Sequence, residues 1–195
     1  MQDLNEVLIV EDLSCKRGNK IIFKNISFKV CKGQILFVKG KNGSGKTTLL
    51  RSLLGILPSQ GKLQWSKDSG KLSYLGHKNA IKENETVLQN LLFWASFYKI
   101  DYLNCNEVLN TYGLQDYSNV PAGWLSSGQL KRLALSRVSL TKREVVILDE
   151  PLNHLDSIAE KILAQFLSNH LESGGIAIVA THKTIHINNS ILLDL

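Results

Sequence analysis

The sequence predicts an α/β fold: a core with a mostly parallel sheet, an N-terminal antiparallel β subdomain and an inserted α-helical subdomain. Three observations predict it. Ile35-Leu36-Phe37-Val38, Val145-Val146-Ile147-Leu148 and Ile176 to Ala180 are short, wholly apolar runs, as expected of strands buried on both faces of a parallel sheet. In the first thirty residues Ile26, Phe28 and Val30 instead alternate with Ser27 and Lys29, the pattern of an antiparallel strand with one wet face. From Thr86 to Tyr98 the apolar spacing turns helical. A single domain of 195 residues follows, with about 1–76 and 141–195 supplying the core and its β subdomain and about 77–140 the helical subdomain.

Taken in order, Leu8-Ile9-Val10 begins a strand, Arg17-Gly18-Asn19 turns it, and the alternating strand runs to Val30. Lys32-Gly33 turns the chain into the strand at Ile35, and a helix follows through Leu49 to Leu54. Pro58-Ser59-Gln60-Gly61 closes that helix, and Leu63 to Trp65 and Leu72 to Leu75 read as short strands. In the helix from Thr86, Val87, Leu88, Leu91, Leu92, Ala95 and Tyr98 share one broad face. Phe93 and Phe97 fall on the other side; packing within the helical subdomain is the ordinary reading, and an exposed apolar patch the alternative. Further helices are expected at Asn104 to Tyr112, Leu130 to about Leu140 and about Ile158 to Leu171, the last ended by Ser173-Gly174-Gly175.

Composition bounds the function classes. With 44 % hydrophobic and 21 % charged residues the chain reads as soluble and globular. Dense apolar runs such as Leu91 to Tyr98 fall far short of the ~20 residues of a membrane span, and Asp3, Glu6, Glu11 and Asp12 interrupt any N-terminal signal pattern. Cys15, Cys31 and Cys105 are odd in number and lack metal-ligand spacing, so free thiols in a reducing compartment are expected. The net charge of +6 suits phosphates, anionic lipid or nucleic acid without choosing among them.

The chemistry concentrates after the apolar runs. Gly40-Lys41-Asn42-Gly43-Ser44-Gly45-Lys46-Thr47-Thr48 fits G-x-x-x-x-G-K-[ST] between a strand and a helix, the setting of a phosphate-binding loop. Glycines at 40, 43 and 45 let several N–H groups point into one concavity, and the helix start adds its positive end. A nucleoside triphosphate and Mg²⁺ are the expected ligands, with Lys46 at the β- and γ-phosphates and the Thr47 hydroxyl on the metal. Asp149-Glu150 and Thr181-His182 follow the other two buried runs. In an open parallel sheet, ligands bind at the carboxyl ends of strands, so these groups should converge. Asp149 is the expected Mg²⁺ partner and Glu150 can polarise a water in line with the γ-phosphate. A histidine such as His182, taken alone, is more often a core or edge residue; the convergence reverses that weighting.

Leu125-Ser126-Ser127-Gly128-Gln129 is a serine-rich helix start able to present N–H groups and hydroxyls to an anion, or to serve as a simple N-cap. With this stretch included, the chain resembles the ATP-binding-cassette (ABC) ATPases over essentially its full length, and the stretch looks like their signature motif. The resemblance implies a phosphate-loop NTPase core whose catalytic sites are shared between two copies, each ATP held by one copy's phosphate loop and capped by the other's signature helix. It implies that Lys46, Thr47 and Asp149 hold ATP and Mg²⁺, that Glu150 is the catalytic base, and that His182 senses the γ-phosphate. Ser127 and Gly128, flanked by Ser126 and Gln129, then contact the partner's γ-phosphate, and Asn153-His154-Leu155-Asp156 matches the loop linking the two sites. Three positions depart from the family, one of them only slightly, since Ser127 stands in the signature where Gly is commoner. His77 stands where the lid loop usually has Gln, and Arg17 where an aromatic usually stacks on adenine.

Gly76-His77-Lys78-Asn79-Ala80-Ile81-Lys82, Thr86 to Leu91 and Leu50 to Gly55 look like one branch, the ATP-binding subunits of bacterial cytochrome c biogenesis (haem exporter) complexes. That branch implies integral membrane transporter subunits as partners, attachment at the cytoplasmic face of the inner membrane, and ATP hydrolysis that releases a haem-loaded chaperone. No nucleic acid is expected. The competing readings are a soluble ABC ATPase acting on nucleic acid or the ribosome, the ATPase of another small-substrate exporter, and a regulatory module without turnover, against which Glu150 argues.

Overall fold

Two sheets organise the chain in the computed structural model, which describes residues 6–66, 72–183 and 185–195. Strands β1 (Glu6–Arg17), β2 (Lys20–Cys31) and β4 (Gln60–Trp65) form an antiparallel sheet in the order β2-β1-β4. Strands β5 (Leu72–Leu75), β6 (Val145–Asp149), β7 (Ile176–Ala180), β3 (Ile35–Lys39) and β8 (Ser190–Asp194) form a parallel sheet in that order. Helix α1 (Lys46–Leu53) follows β3. Helices α2 (Val87–Tyr98), α3 (Leu103–Thr111) and α4 (Ser127–Leu140) lie between β5 and β6, and α5 (Ser157–Glu172) between β6 and β7.

The wholly apolar runs are explained by two cores, one on each face of the parallel sheet. Ile35 and Phe37 of β3 point into a core shared with Leu91, Leu109, Leu133 and Leu163 of the helices. Leu36 and Val38 point into the other, with Leu49 and Leu53 of α1 and Leu8 and Val10 of the antiparallel sheet. Since every β3 residue from 35 to 38 faces one core or the other, no position in that run tolerates a polar side chain without a partner.

Helix starts are set by local chemistry. Thr86 and Gln89 close a capping box on α2, Ser126 and Gln129 another on α4, and the Asp156 carboxylate accepts from the Ala159 N–H at the start of α5. Phe93 and Phe97 are 43 % and 66 % exposed, so the expectation that they pack inside the helical subdomain is corrected. The face of α2 given to the core is already filled by Val87, Leu91 and Ala95, which leaves Phe93 and Phe97 facing outward one turn apart. Strand β8 was not expected from the sequence; its residues alternate between exposed and half-buried at the sheet edge beside β3.

Tyr112 is enclosed between α3 and α4 with its hydroxyl on Ser139 Oγ at 2.5 Å, and burial pushes the phenol up to about 12. The phenol therefore ionises more readily in the unfolded chain, so its stabilisation is complete below about pH 10 and is lost as pH rises from about 10 toward 12. Unfolding free energies from urea titrations across that range should fall by about 2–3 kcal/mol more in the wild type than in Tyr112→Phe. Parallel pH profiles would contradict the assignment.

Candidate active site

The register of the parallel sheet brings three strand ends level. Val38 of β3 and Asp149 of β6 both stand opposite Ala180 of β7. The Gly40–Thr48 loop, Asp149-Glu150 and Thr181-His182 therefore leave the sheet side by side.

The loop is built without side chains where backbone approaches closely. Gly40, Gly43 and Gly45 have φ of 147°, 82° and 110°. A Cβ at Gly40 would lie 2.5 Å from Ser44 Oγ and 2.7 Å from the Leu195 carbonyl oxygen, and one at Gly45 2.7 Å from Ile22 Cγ2. Gly40→Ala is therefore expected to lower both the melting temperature and nucleotide affinity, and unchanged calorimetric binding would contradict this reading of the cradle. Ser44 Oγ is buried without a hydrogen-bond partner. Gly45 caps α1 without a side-chain acceptor, so the first N–H groups of α1 have no cap of their own. An unpartnered buried hydroxyl and uncapped donors in a glycine cradle fit a polyphosphate.

Lys46 is 6 % exposed and donates from Nζ to the carbonyl oxygens of Gly40 at 2.8 Å and Lys41 at 3.3 Å. Glu150 Oε1 lies 3.4 Å from the same ammonium, and Glu150 Oε2 pairs with His182 Nδ1 at 2.9 Å. Thr47 Oγ1 donates to Asp149 Oδ2 at 2.8 Å. A hydroxyl and a carboxylate meeting in this way are hard oxygen donors suited to Mg²⁺. Among the described residues no three His, Cys, Asp or Glu side chains converge as an all-protein metal site. Mg²⁺ characteristically takes one or two protein ligands and completes its shell with phosphate oxygens and water.

Glu150 holds a left-handed backbone, φ 47°, fixed by its N–H on the Ala180 carbonyl oxygen at 2.8 Å. A non-glycine residue in that region costs on the order of 1–3 kcal/mol. The turn aims the Glu150 carboxylate back over Lys46 while Asp149, 1 % exposed, stays in the strand beside Thr47.

The α4 start is formed differently. Ser126 and Gln129 spend their side chains on the capping box, with Gln129 N–H on Ser126 Oγ at 3.3 Å and Ser126 N–H on Gln129 Oε1 at 2.9 Å. The box leaves the Ser127 and Gly128 N–H groups as free helix-start donors, and the Ser127 side chain is exposed. A Cβ on Gly128 would lie 3.1 Å from the His154 carbonyl oxygen, so α4 starts directly against the Asn153–Asp156 loop. His77 and Arg17 do not join the cluster around Lys46. His77 is exposed in the loop after β5, and Arg17 is exposed at the end of β1.

Two residues near the site carry no motif. Ile22 lies against the Gly45 turn, and nothing in an alternating strand distinguishes it from Ile21. Lys131 of α4 is 5 % exposed; burial pulls its ammonium below the usual lysine range, opposed by the Asp149 and Glu150 carboxylates. Its signal was legible, since 131, 135 and 138 fall on one helical face with Leu135 and Val138, both buried. Two cavities of about 700 and 420 Å³ lie elsewhere, around Phe166 and Asn169 of α5 and Lys142.

Known proteins resemble this chain in sequence and in fold. The ABC transporter family description matches residues 23–153. The chain is 39 % identical over 196 residues to the cytochrome c biogenesis ATP-binding export protein CcmA of Rhizobium johnstonii, covering 94 % of this chain and 91 % of that one. It is also 39 % identical to the CcmA of Nitrosococcus oceani, covering 96 % and 91 %. Among solved structures, an ABC transporter ATP-binding protein from Pyrococcus furiosus superposes with a TM-score of 0.84 at 24 % identity, covering 96 % of each chain, a likeness of fold.

Proposed function

The chain belongs to the ABC transporter family as an ATP-binding ATPase subunit, and we propose that it works as a nucleotide-sandwiched dimer driving a haem-export complex of cytochrome c biogenesis. The observation that carries the ATPase reading is the single cluster in which Lys46 meets Glu150, Glu150 meets His182, and Thr47 meets Asp149.

In this reading the loop N–H groups, Ser44 Oγ and Lys46 bind the β- and γ-phosphates of ATP, and Thr47 and Asp149 hold Mg²⁺. The metal supplies charge neutralisation on the phosphate oxygens. Lys46 moves its donors from the Gly40 and Lys41 carbonyl oxygens to phosphate, which releases Glu150 Oε1 to face water. Glu150 accepts a proton from that water as its oxygen bonds to the γ-phosphorus and the bond to ADP breaks, leaving ADP and inorganic phosphate. His182 orients the carboxylate through Nδ1. Ser127 and Gly128 of the second copy donate to the γ-phosphate, so loss of that group removes contacts holding the two copies together.

The haem-export branch rests on the CcmA relatives together with the Gly76-His77 lid loop. Among the described residues no helix is long and apolar enough to cross a membrane, so transport needs integral membrane subunits, with this chain at the cytoplasmic face of the bacterial inner membrane. Phe93, Phe97, Tyr102 and Leu103, each at least 43 % exposed around the α2–α3 junction, offer those subunits an apolar surface. Purification from gently solubilised membranes tests this: co-isolated membrane subunits and a haem-binding partner support it, whereas ribosomal RNA retained at high salt contradicts it.

A further inference from the structure

We propose that Trp124 is a nucleotide-binding residue supplied in trans, its indole stacking on the base of the nucleotide held by the other copy. The inference rests on the shared-site reading above and adds the group that recognises the base.

Trp124 is 81 % exposed, more than any other large apolar side chain among the described residues. Its backbone is nevertheless held firmly. It closes the short 3-10 turn Ala122–Trp124, in which Trp124 N–H donates to the Pro121 carbonyl oxygen at 3.0 Å. The Ala122 and Gly123 N–H groups donate to the Glu85 and Glu83 carbonyl oxygens, each at 2.9 Å. Buried Ala122 and Leu125 anchor the turn on both sides. An indole carries one of the largest apolar surfaces of any side chain, and presenting it to water from a fixed backbone turn has no benefit within one copy.

Its position says what covers it. Trp124 precedes Ser127 by three residues, and three residues of chain span at most about 10 Å. If Ser127 and Gly128 touch the γ-phosphate of the opposing nucleotide, the indole lies within the length of that nucleotide. The base needs such a group. On the nucleotide-holding copy, the turn between β1 and β2 consists of Arg17, Gly18, Asn19 and Lys20, with no aromatic ring, and Phe23 is buried in the core at 6 % exposure. Arg17 can lie flat against one face of a base and Ile22 flanks the Gly45 turn. The opposite face is left for the indole of the second copy, giving an Arg–base–Trp stack.

The test uses the full chain carrying Glu150→Gln, in which nucleotide binding without turnover should give a dimer. Sedimentation is followed against ATP and CTP for this parent and with Trp124→Ala or Trp124→Phe added. Base–aromatic stacking predicts that Trp124→Ala raises the ATP concentration for half-maximal dimerisation by about tenfold. Trp124→Phe should recover most of it, and the advantage of ATP over CTP should shrink in the alanine variant. ATP should also quench a tryptophan fluorescence component that is absent from Trp124→Phe. A parent that dimerises while Trp124→Ala dimerises at the same ATP concentration overturns the stacking role and leaves the shared site standing. So does unchanged dimerisation accompanied by loss of membrane-subunit binding, which assigns Trp124 to that surface instead. A parent that binds ATP and stays monomeric overturns the shared site, and the stacking role with it.

Discussion

Glu150→Gln lowers ATP turnover by about 10²–10⁴-fold, the usual contribution of a positioned general base, while leaving ATP binding intact. The amide keeps the length of the side chain and inherits the same backbone, φ 47°, held by the Ala180 carbonyl oxygen. It can still accept from Lys46 or from His182, the two groups now paired with the carboxylate. What it lacks is the ability to take a proton from water. It also removes one negative charge from beside the γ-phosphate, so ATP should bind at least as tightly, and with hydrolysis blocked the ATP-bound dimer should accumulate. Steady-state turnover and equilibrium ATP binding measured on the same preparation check both halves. Turnover at the wild-type rate removes Glu150 from the base role.

Lys46→Ala has the largest expected effect on binding. A charge-assisted donor to phosphate in a water-poor site contributes roughly 3–4 kcal/mol, so the dissociation constant for ATP should rise about 10²–10³-fold. In the free protein the Gly40 carbonyl oxygen also loses its donor and Glu150 Oε1 its ion-pair partner, so the melting temperature without nucleotide should fall as well. Lys46→Arg should recover little, since the ammonium occupies a space only 6 % exposed and the wider guanidinium does not fit between loop and carboxylate. Calorimetric titration with ATP measures this directly, and an unchanged dissociation constant would show that phosphate is held elsewhere.

Much of this arrangement was legible in the sequence where local chemistry dictates local structure. The apolar runs at 35–38, 145–148 and 176–180 became adjacent strands because only a two-sided core accepts them. The Thr86–Gln89 and Ser126–Gln129 spacings became capping boxes because Ser or Thr followed at the third position by Gln satisfies two helix-start donors at once. What stayed hidden depends on distant neighbours. Strand β8 is Ser-Ile-Leu-Leu-Asp, too short and too ordinary to read, and it exists because β3 has a free edge to pair with. The spacing put Phe93 and Phe97 on the side of α2 away from Val87, Leu91 and Ala95, but whether another element covers that side depends on how α2 packs against α3 and α4. The left-handed turn at Glu150 follows from the bond to β7, which no residue near Glu150 announces.

The most direct measurement is a structure of the Glu150→Gln protein with Mg²⁺ and ATP, read for the distances from the γ-phosphate oxygens to Lys46 and Ser127. The account predicts hydrogen-bond distances, about 2.7–3.2 Å, to Lys46 of one copy and Ser127 of the other. A γ-phosphate held by Lys46 and enclosed by that same copy alone, with Ser127 of the other copy remote from it, would contradict the shared site.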